Sequence, residues 1–596
     1  MMEEPLIELA DIIKGLDSLS GFNHNSRTGI SHQRAQKLRV THTNNELHQI
    51  LYLVDCHVPT LREKAAMRYQ KLLNAEDENS KLQLQMLKDI ITPKCSWSLK
   101  NEVLELKRIV AELPKEWTAI QLTTQFDPKD QENLDLKVYQ TNGLYLTLFN
   151  CGQDAVDPLL ITLDPPRLNG AKLDLLQLLM SALDKNSARL FSTSNKKFFK
   201  NRNAKKLYVL QAEEVELTVA NVVQDVEKHW LRLWRCLLLG KLQDQTMEQV
   251  IWNNLQEIFK NLLKGITVSD KHKQLLFYIL KGASFLTQEE IFEGVKYCLG
   301  SVCNEETLKN VAHMVKEKNL QFHVDNSDFL RHPVILIIDE TLDSIPWEMM
   351  DVLKNESVSR VPSLHFLYFL YKIHEKDIQN GQKIISNYTN GNFIVNPDVN
   401  LDSMEVRMMS FYKYWLPKWG GMNGRKPTNE EFFELLKSSD IFAYSGHGNG
   451  SHIMTVEMLQ KIHVKGVVLL FGCASSRITR LGPQTETYGA YHMYLMSRCP
   501  TVVGMLWPVT DVSMDLLTTE FISNWVPSAA PIAWTNVEKE PWIRGGGSFV
   551  AVEKPIKIQN NLELLRAISY CKRNTSHYMT KAACVVRGLP IKIKPI

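Results

Sequence analysis

Five short, uninterrupted apolar runs punctuate the second half of the chain: Val334–Ile338, Phe393–Val395, Ile441–Tyr444, Val467–Phe471 and Thr501–Leu506. Runs of this length without polar alternation are what strands buried on both faces require, and several lead through a small or polar residue into a helical stretch. The expected fold class is therefore α/β, with doubly wound, mostly parallel sheets. Earlier in the chain, Thr118–Thr123, Gly143–Phe149 and Leu159–Leu163 are further β-rich runs set apart by Asp, Pro and Gly turns. Beyond them Lys205–Leu210 reads as one more short strand and Val215–Gly240 as one long helix. From Leu6 to about Leu106 the pattern is helical with polar loops, and Pro93 is expected to end a helix running through Glu63–Ile91. Periodicity disappears over Pro527–Pro555, which reads as an insertion or mobile loop. A last helix, Leu562–Arg573, and a short apolar run, Ala583–Val586, follow. These textures divide the chain into a helical region 1–106, an α/β region 107–325 with helical insertions and an α/β region 326–596. No repeat of solenoid period occurs, although the shared texture of the last two regions fits two related domains.

Composition narrows the classes without choosing among them. The 596 residues suffice for three or four domains at roughly 100–200 residues each. Hydrophobic residues make up 44%, charged residues 23%, and the net charge is +3; these values argue for neither a nucleic-acid nor a membrane partner. No apolar run reaches the roughly 18 residues of a membrane span, and Glu3 and Glu4 stand where a secretory signal carries positive charge. A soluble intracellular protein is expected. The ten cysteines are scattered, with neither a disulfide framework nor zinc-ligand spacing, which fits a reducing compartment that keeps a reactive thiol free. The basic run Asn195–Lys206 reads as a solvated loop, contact with an acidic partner being the alternative.

Two predicted strands end in residues that carry chemistry. Ile441–Tyr444 leads into His447, held between Gly446 and Gly448, and Val467–Phe471 leads through Gly472 into Cys473. The carboxyl ends of adjacent parallel strands open into one crevice. The separation of 26 residues (473 − 447) leaves room for one crossover helix, about Val456–His463. A free thiol is only a few per cent ionised near neutral pH, and an imidazole within hydrogen-bond reach makes it an effective nucleophile. Cys473 is accordingly assigned as the nucleophile toward a peptide carbonyl, and His447 as the general base that later returns a proton to the leaving amine. The backbone N–H groups of Gly448 and Cys473 are the donors expected to stabilise the oxyanion. A strand-end cysteine by itself is ordinarily an inert buried residue; the glycine-flanked pair at successive strand ends is what points to catalysis. His332, His365, His463 and His492 have no comparable partner, and Cys499 beside Pro500 is assigned to packing.

The strand Thr501–Leu506 ends at Trp507-Pro508-Val509-Thr510-Asp511, which brings an indole and a carboxylate toward the same crevice. A carboxylate at the base of a substrate pocket selects a basic side chain, Arg above all, because the guanidinium fork matches it with two hydrogen bonds. Asp511, with Trp507 beside it, is the candidate for binding the side chain before the cut. Capping of a helix that starts near Val512 is the structural alternative for Asp511, and Asp515 is the alternative carboxylate.

At these residues the chain resembles the separase family of endopeptidases. The likeness is strong over about 330–525 and at Lys581–Pro590, and fainter over Trp117–Gly240. It is carried by the strand before Asp339, Ile345-Pro346-Trp347-Glu348, Ser359-Arg360-Val361-Pro362-Ser363-Leu364, Asn396-Pro397 and Gly424-Arg425-Lys426-Pro427. The His447 segment, Phe471-Gly472-Cys473-Ala474-Ser475-Ser476 and Leu506–Asp511 continue it, with His229-Trp230-Leu231 and Trp234-Arg235 in the middle region. The resemblance implies a caspase-like peptidase domain over 326–596, preceded over 107–325 by a related domain without catalytic residues. It implies cleavage of the cohesin kleisin subunit after Arg in Glu-x-x-Arg sites at anaphase, inhibition by a securin-like pseudosubstrate, and no metal or organic cofactor. It places the enzyme in cytoplasm and nucleus, and on mitotic chromosomes or the spindle. Only about a hundred residues precede the first α/β texture, as in the short insect separases, and this implies a separate helical regulatory chain. Two rival readings stand beside it: a scaffold of the same fold that binds kleisin or securin without cutting, and another Arg-specific caspase-fold peptidase.

Overall fold

The computed structural model describes residues 26–73, 78–92, 98–128, 139–153, 156–192, 202–325, 329–454, 459, 462–480, 485–546, 549–551 and 560–595. Pro93, most of the proposed crossover 456–463 and the basic residues 195–200 lie outside them, as does the N-terminal segment before 26.

Five helices open the described chain: α1 (Ser26–Thr41), α2 (Glu46–Asp55), α3 (Pro59–Leu73), α4 (Glu78–Ile91) and α5 (Leu99–Glu112). Three strands follow, β1 (Thr118–Thr124), β2 (Leu144–Asn150) and β3 (Leu159–Leu163), then six helices, α6 (Leu175–Ser192), α7 (Arg202–Asp225), α8 (Gln245–Leu262), α9 (Asp270–Lys281), α10 (Gln288–Leu299) and α11 (Glu305–Asp325). Next come β4 (Val334–Ile338), β5 (Val358–Val361), α12 (Leu364–His374), β6 (Gly391–Val395), α13 (Asp402–Trp415), β7 (Gly420–Asn423) and α14 (Asn429–Ser438). The chain closes with β8 (Ile441–Ser445), β9 (Val467–Phe471), α15 (Ala490–Met496), β10 (Thr501–Met505), α16 (Asp511–Trp525), α17 (Leu564–Asn574) and β11 (Cys584–Gly588).

These eleven strands belong to one sheet in the order β7-β6-β8-β9-β10-β11-β5-β4-β1-β2-β3, and shorter strands among the described residues pair outside it. Neighbours are parallel except at β10–β11, β1–β2 and β2–β3. The uninterrupted apolar runs are explained by two cores, one on each face of the sheet. In β9, Val467, Leu469 and Phe471 enter one core and Val468 and Leu470 the other; in β4, Val334, Leu336 and Ile338 oppose Ile335 and Ile337 in the same way. Each residue points to a face, both faces are covered by helices, and polar alternation would bury unpaired polar groups. The first core is covered by α6–α11, α13, α16 and α17, and the second by α2–α5, α12, α14 and α15.

The ladder between β1 and β4 pairs Thr118–Leu122 with Val334–Ile338, so hydrogen bonds of a single sheet cross the 325/326 division. Two expectations about the middle region are corrected. Lys205–Leu210 is the start of α7, not a strand: the segment is rich in good helix formers, and its apolar residues Leu207, Val209 and Leu210 are half exposed. The long helix expected over Val215–Gly240 ends as an α-helix at Asp225, passes through a π-helical turn, Val226–Leu231, and a 3₁₀ segment, Arg232–Leu238, with Arg232 at φ +52°. Tertiary bonds account for this: the buried Glu227 carboxylate accepts the N–H groups of Asp351 and Val352 at 2.8 and 3.0 Å, and Arg235 forks onto Glu290 at 2.5 and 2.6 Å. The described part of 527–555 is likewise packed, with Trp534 and Trp542 buried and Val537–Glu538 paired with Val550–Ala551.

Candidate active site

The sequence of β8 and β9 decides where the two candidate catalytic residues arrive. Their ladder pairs Ile441 with Val467 and ends with Ser445 opposite Phe471, so His447 and Cys473 each follow two residues beyond the last rung. The strand ends then touch. Gly446 N–H reaches Phe471 O at 3.4 Å, and a Cβ on Gly472 would collide with the carbonyl oxygens of Gly448 and Gly446. Only glycine allows this close backbone approach. Gly448 has φ +57°, and among the described residues nothing stands within 4 Å of where its Cβ would be.

His447 is exposed, and its Nε2 lies 2.9 Å from Asn400 Oδ1. An amide oxygen only accepts, so Nε2 carries the proton and Nδ1 keeps the basic lone pair. Asn400 sits in the loop after β6, beside β8, where Asn396 organises the turn: its Oδ1 accepts the N–H groups of Asn400 and Leu401 at 3.1 and 3.0 Å. Tyr444 Oη donates to His447 O at 2.8 Å and fixes the backbone of the histidine.

Cys473 is half-buried, and its thiol donates to Val509 O at 3.5 Å. Burial pushes the thiol up from its ordinary range and the Asp511 charge adds to the effect, while the polar contact with Val509 opposes it. The resting sulfur is thus a thiol that needs a base. The turn behind it is braced: Ala474 takes a left-handed φ of +54°, strained for a residue with a Cβ, while Ser475 Oγ donates to Leu470 O at 2.7 Å and accepts Met505 N–H at 3.0 Å. Arg587 on β11 donates to Ser476 Oγ at 2.7 Å and Ser476 O at 2.9 Å, and forks onto Asp343 with two bonds of 2.7 Å. The motifs around Asp343 and Arg587 therefore hold the Cys473 turn in place.

The three candidate substrate-binding residues separate. Asp511 is the first residue of α16, half exposed, and its charge is felt at the Cys473 thiol. Asp515, one turn on, is 5% exposed, and burial raises its carboxyl to about 7 against the attraction of Arg407. Arg407 of α13 bonds both, Nη2 to Asp511 Oδ2 at 3.0 Å and Nε to Asp515 Oδ2 at 2.6 Å. Trp507 instead belongs to the core: it is 1% exposed and its Nε1–H donates to Met579 O at 3.0 Å, so its indole offers no face to the crevice. A strand-end aromatic has two faces of the sheet open to it, and packing decided the direction. Asn400, Arg407 and Arg587 were not found from the sequence. Asn396-Pro397 directly after an apolar run was the available signal for Asn400; Arg407 lies 104 positions from Asp511 and carries no local signal. Among the described residues no cluster of His, Cys, Asp and Glu has the geometry of a metal site.

The chain is similar to known proteins over most of its length. The chain is 24% identical to separin of Schizosaccharomyces pombe over 488 residues, 76% of this chain and 25% of that protein. It is 27% identical to separin of Mus musculus over 344 residues, 57% of this chain and 16% of that protein. It therefore spans a quarter or less of the length of these relatives. In fold it is similar to the separase of the Saccharomyces cerevisiae separase–securin complex, with a TM-score of 0.67 and 16% identity over 99% of this chain and 38% of that one. The family model described as the separin protease domain matches residues 141–513, a span that takes in His447, Cys473 and Asp511. With more than half of its length matched, the chain belongs to the separin protease-domain family, a family of cysteine proteases.

Proposed function

We propose that the chain is a separase-type cysteine endopeptidase that uses His447 and Cys473 to cut after Arg. The observation that carries this reading is the β8–β9 register, which brings a glycine-flanked histidine and a glycine-preceded cysteine to the same level above one crevice. His447, its Nε2–H engaged by Asn400, takes the Cys473 proton at Nδ1 as the sulfur attacks the scissile carbonyl. The negative charge moves to the carbonyl oxygen, where the Gly448 and Cys473 N–H groups receive it. The imidazolium then protonates the leaving amine, and water releases the acyl group from sulfur with His447 again as base. Asp511 takes the guanidinium of the residue before the cut.

By the same reading the substrate is the kleisin subunit of cohesin, cut in Glu-x-x-Arg sites, and the inhibitor is a securin-like chain; the complex formed by the S. cerevisiae relative supports the latter. A separate helical regulatory chain is a further partner in this reading, and the enzyme works in cytoplasm and nucleus and on mitotic chromosomes or the spindle. The test is cleavage of a Glu-x-x-Arg peptide and of its Arg→Glu counterpart by the wild type and by Cys473→Ser, with any companion chain present. Cutting by the wild type alone, after Arg alone, is the expected result. Binding of the peptide by both forms with cutting by neither would replace this reading with a scaffold.

A further inference from the structure

The segment after β6 reaches both sides of the crevice: its loop carries Asn400 to His447, and its helix, α13, carries Arg407 to the two carboxylates of α16. We propose that Arg407 is a specificity-positioning residue, which locks Asp511 and Asp515 into one cluster so that Asp511 presents its carboxylate to a single cationic side chain of the substrate. This rests on the reading of Asp511 as the carboxylate that binds the arginine before the cut.

The arrangement has features that a simple stabilising ion pair does not need. Asp511 and Asp515 are one helical turn apart, where like charges repel. One edge of the Arg407 guanidinium, Nε and Nη2, is divided between them, at 2.6 Å to Asp515 and 3.0 Å to Asp511. Exposure rises outward from 2% at Arg407 and 5% at Asp515 to 50% at Asp511, so only the outer carboxylate meets the crevice. Arg407 offsets one of the two carboxylates, and because burial raises the Asp515 carboxyl to about 7, the ionised Asp511 is the charge that the cluster turns toward a cation. Arg407 is itself anchored, its carbonyl accepting Trp542 Nε1–H and Ser410 Oγ–H, each at 2.8 Å. A lysine, with a point charge in place of a planar fork, would not span the two carboxylates in the same way.

The experiment measures equilibrium binding of a fluorescent peptide ending in Arg, and of the same peptide ending in citrulline, to the full chain in a Cys473→Ser background. Citrulline keeps the shape of the side chain and removes its charge, so the ratio of the two dissociation constants reads the cluster and not overall folding. The unmodified cluster is expected to prefer Arg on the order of 10–100-fold, the range of a charge-assisted contact. Asp511→Asn should abolish the preference and Arg407→Gln should lower it about tenfold. Because Arg407→Gln leaves Asp515 buried without its partner, the double variant Arg407→Gln/Asp515→Asn is measured alongside, with thermal melting to show that it folds, and the same loss is expected. Loss in Asp511→Asn with the preference intact in the folded double variant would overturn the role of Arg407 alone. A preference retained in Asp511→Asn, or absent before any change to the cluster, would overturn the reading of Asp511 and this inference with it.

Discussion

Above the carboxyl ends of β1 and β4 the space is filled from within the chain. Lys37 of α1 reaches down to Asp339 at 2.5 Å, Thr124 N–H and Oγ1–H donate to the same carboxylate at 3.2 and 2.9 Å, and His57 Nε2 stands 2.8 Å from Thr123 Oγ1. Above the carboxyl ends of β8 and β9 in the same sheet, His447 is exposed and Cys473 half open, with the Arg407–Asp511–Asp515 cluster beside them. Burial works to raise the Asp339 carboxyl, and the Lys37 ammonium outweighs it and holds the group well below the usual carboxylate range. Both ends offer a crevice of the kind in which parallel sheets place their chemistry. One is sealed by an ion pair that needs no outside partner; the other keeps its polar groups available. The helical region thus fills the crevice of one half of the sheet and leaves that of the other half open.

The sharpest way to break this contrast is at the open end. Cys473→Ser and His447→Ala should each lower kcat/KM for a Glu-x-x-Arg peptide by at least roughly 10³-fold, with melting temperatures near that of the wild type. At the sealed end the order of effects reverses. Lys37→Met leaves the buried Asp339 charge without its partner and should cost about 3–5 kcal/mol in urea unfolding, while Lys37→Met/Asp339→Asn should recover much of that loss. Turnover per folded molecule should be unchanged in the double variant. Between these extremes, Asn400→Ala removes the acceptor that sets the His447 tautomer and should lower kcat roughly tenfold with little change in KM, as read from the rate of peptide cleavage across pH.

The smallest effect concerns the seam between the two ends. Glu486, thirteen residues past Cys473 (486 − 473), accepts Thr60 N–H with both oxygens at 3.1 Å in the first turn of α3. Burial, aided by the nearby Glu340 charge, raises its carboxyl to about 7 from an ordinary 4.5, with Thr60 and Arg62 opposing. A group raised on folding contributes fully below its unfolded value and loses that contribution as pH climbs through its folded one. The seam should therefore weaken between about pH 4.5 and pH 7, and Glu486→Gln should raise stability at pH 8 by about 1–2 kcal/mol while leaving it unchanged at pH 4. Chemical unfolding of both forms at the two pH values checks the sign. An equal effect at both would mean that the amide acts through packing and not through charge.

How far the chain could be read beforehand follows from the range of the interactions concerned. Strands with apolar side chains on both faces were legible to within a residue or two: Leu159–Leu163, Val334–Ile338 and Val467–Phe471 were found with their observed bounds. The strand Val358–Val361 was not recognised as one, because Ser359 and Arg360 interrupt its apolar pattern; Arg360 is buried because Glu348 meets it with bonds of 2.8 and 2.6 Å and the carbonyls of Asp343 and Ile345 accept its other N–H groups at 2.6 and 2.8 Å. The π-helical turn after Asp225 and the packed tryptophans of 527–555 were invisible for a similar reason, since their partners lie far away in sequence.

What the sequence determined by itself was the strands with apolar side chains on both faces, the glycines at the ends of two of them and the two residues placed just beyond. A strand's two-residue period and a glycine's lack of a Cβ are local facts that no distant contact can undo. What only the tertiary structure decided was which way each strand-end side chain turned and what held it. Trp507 went into the core and Asp511 outward, Asn400 arrived at His447 from 47 positions away, and Arg407 came to rest between two aspartates more than a hundred positions further on. Those outcomes depend on the packing of helices against a sheet, where burial and pairing of charge are settled between elements and leave no period in the sequence of either one.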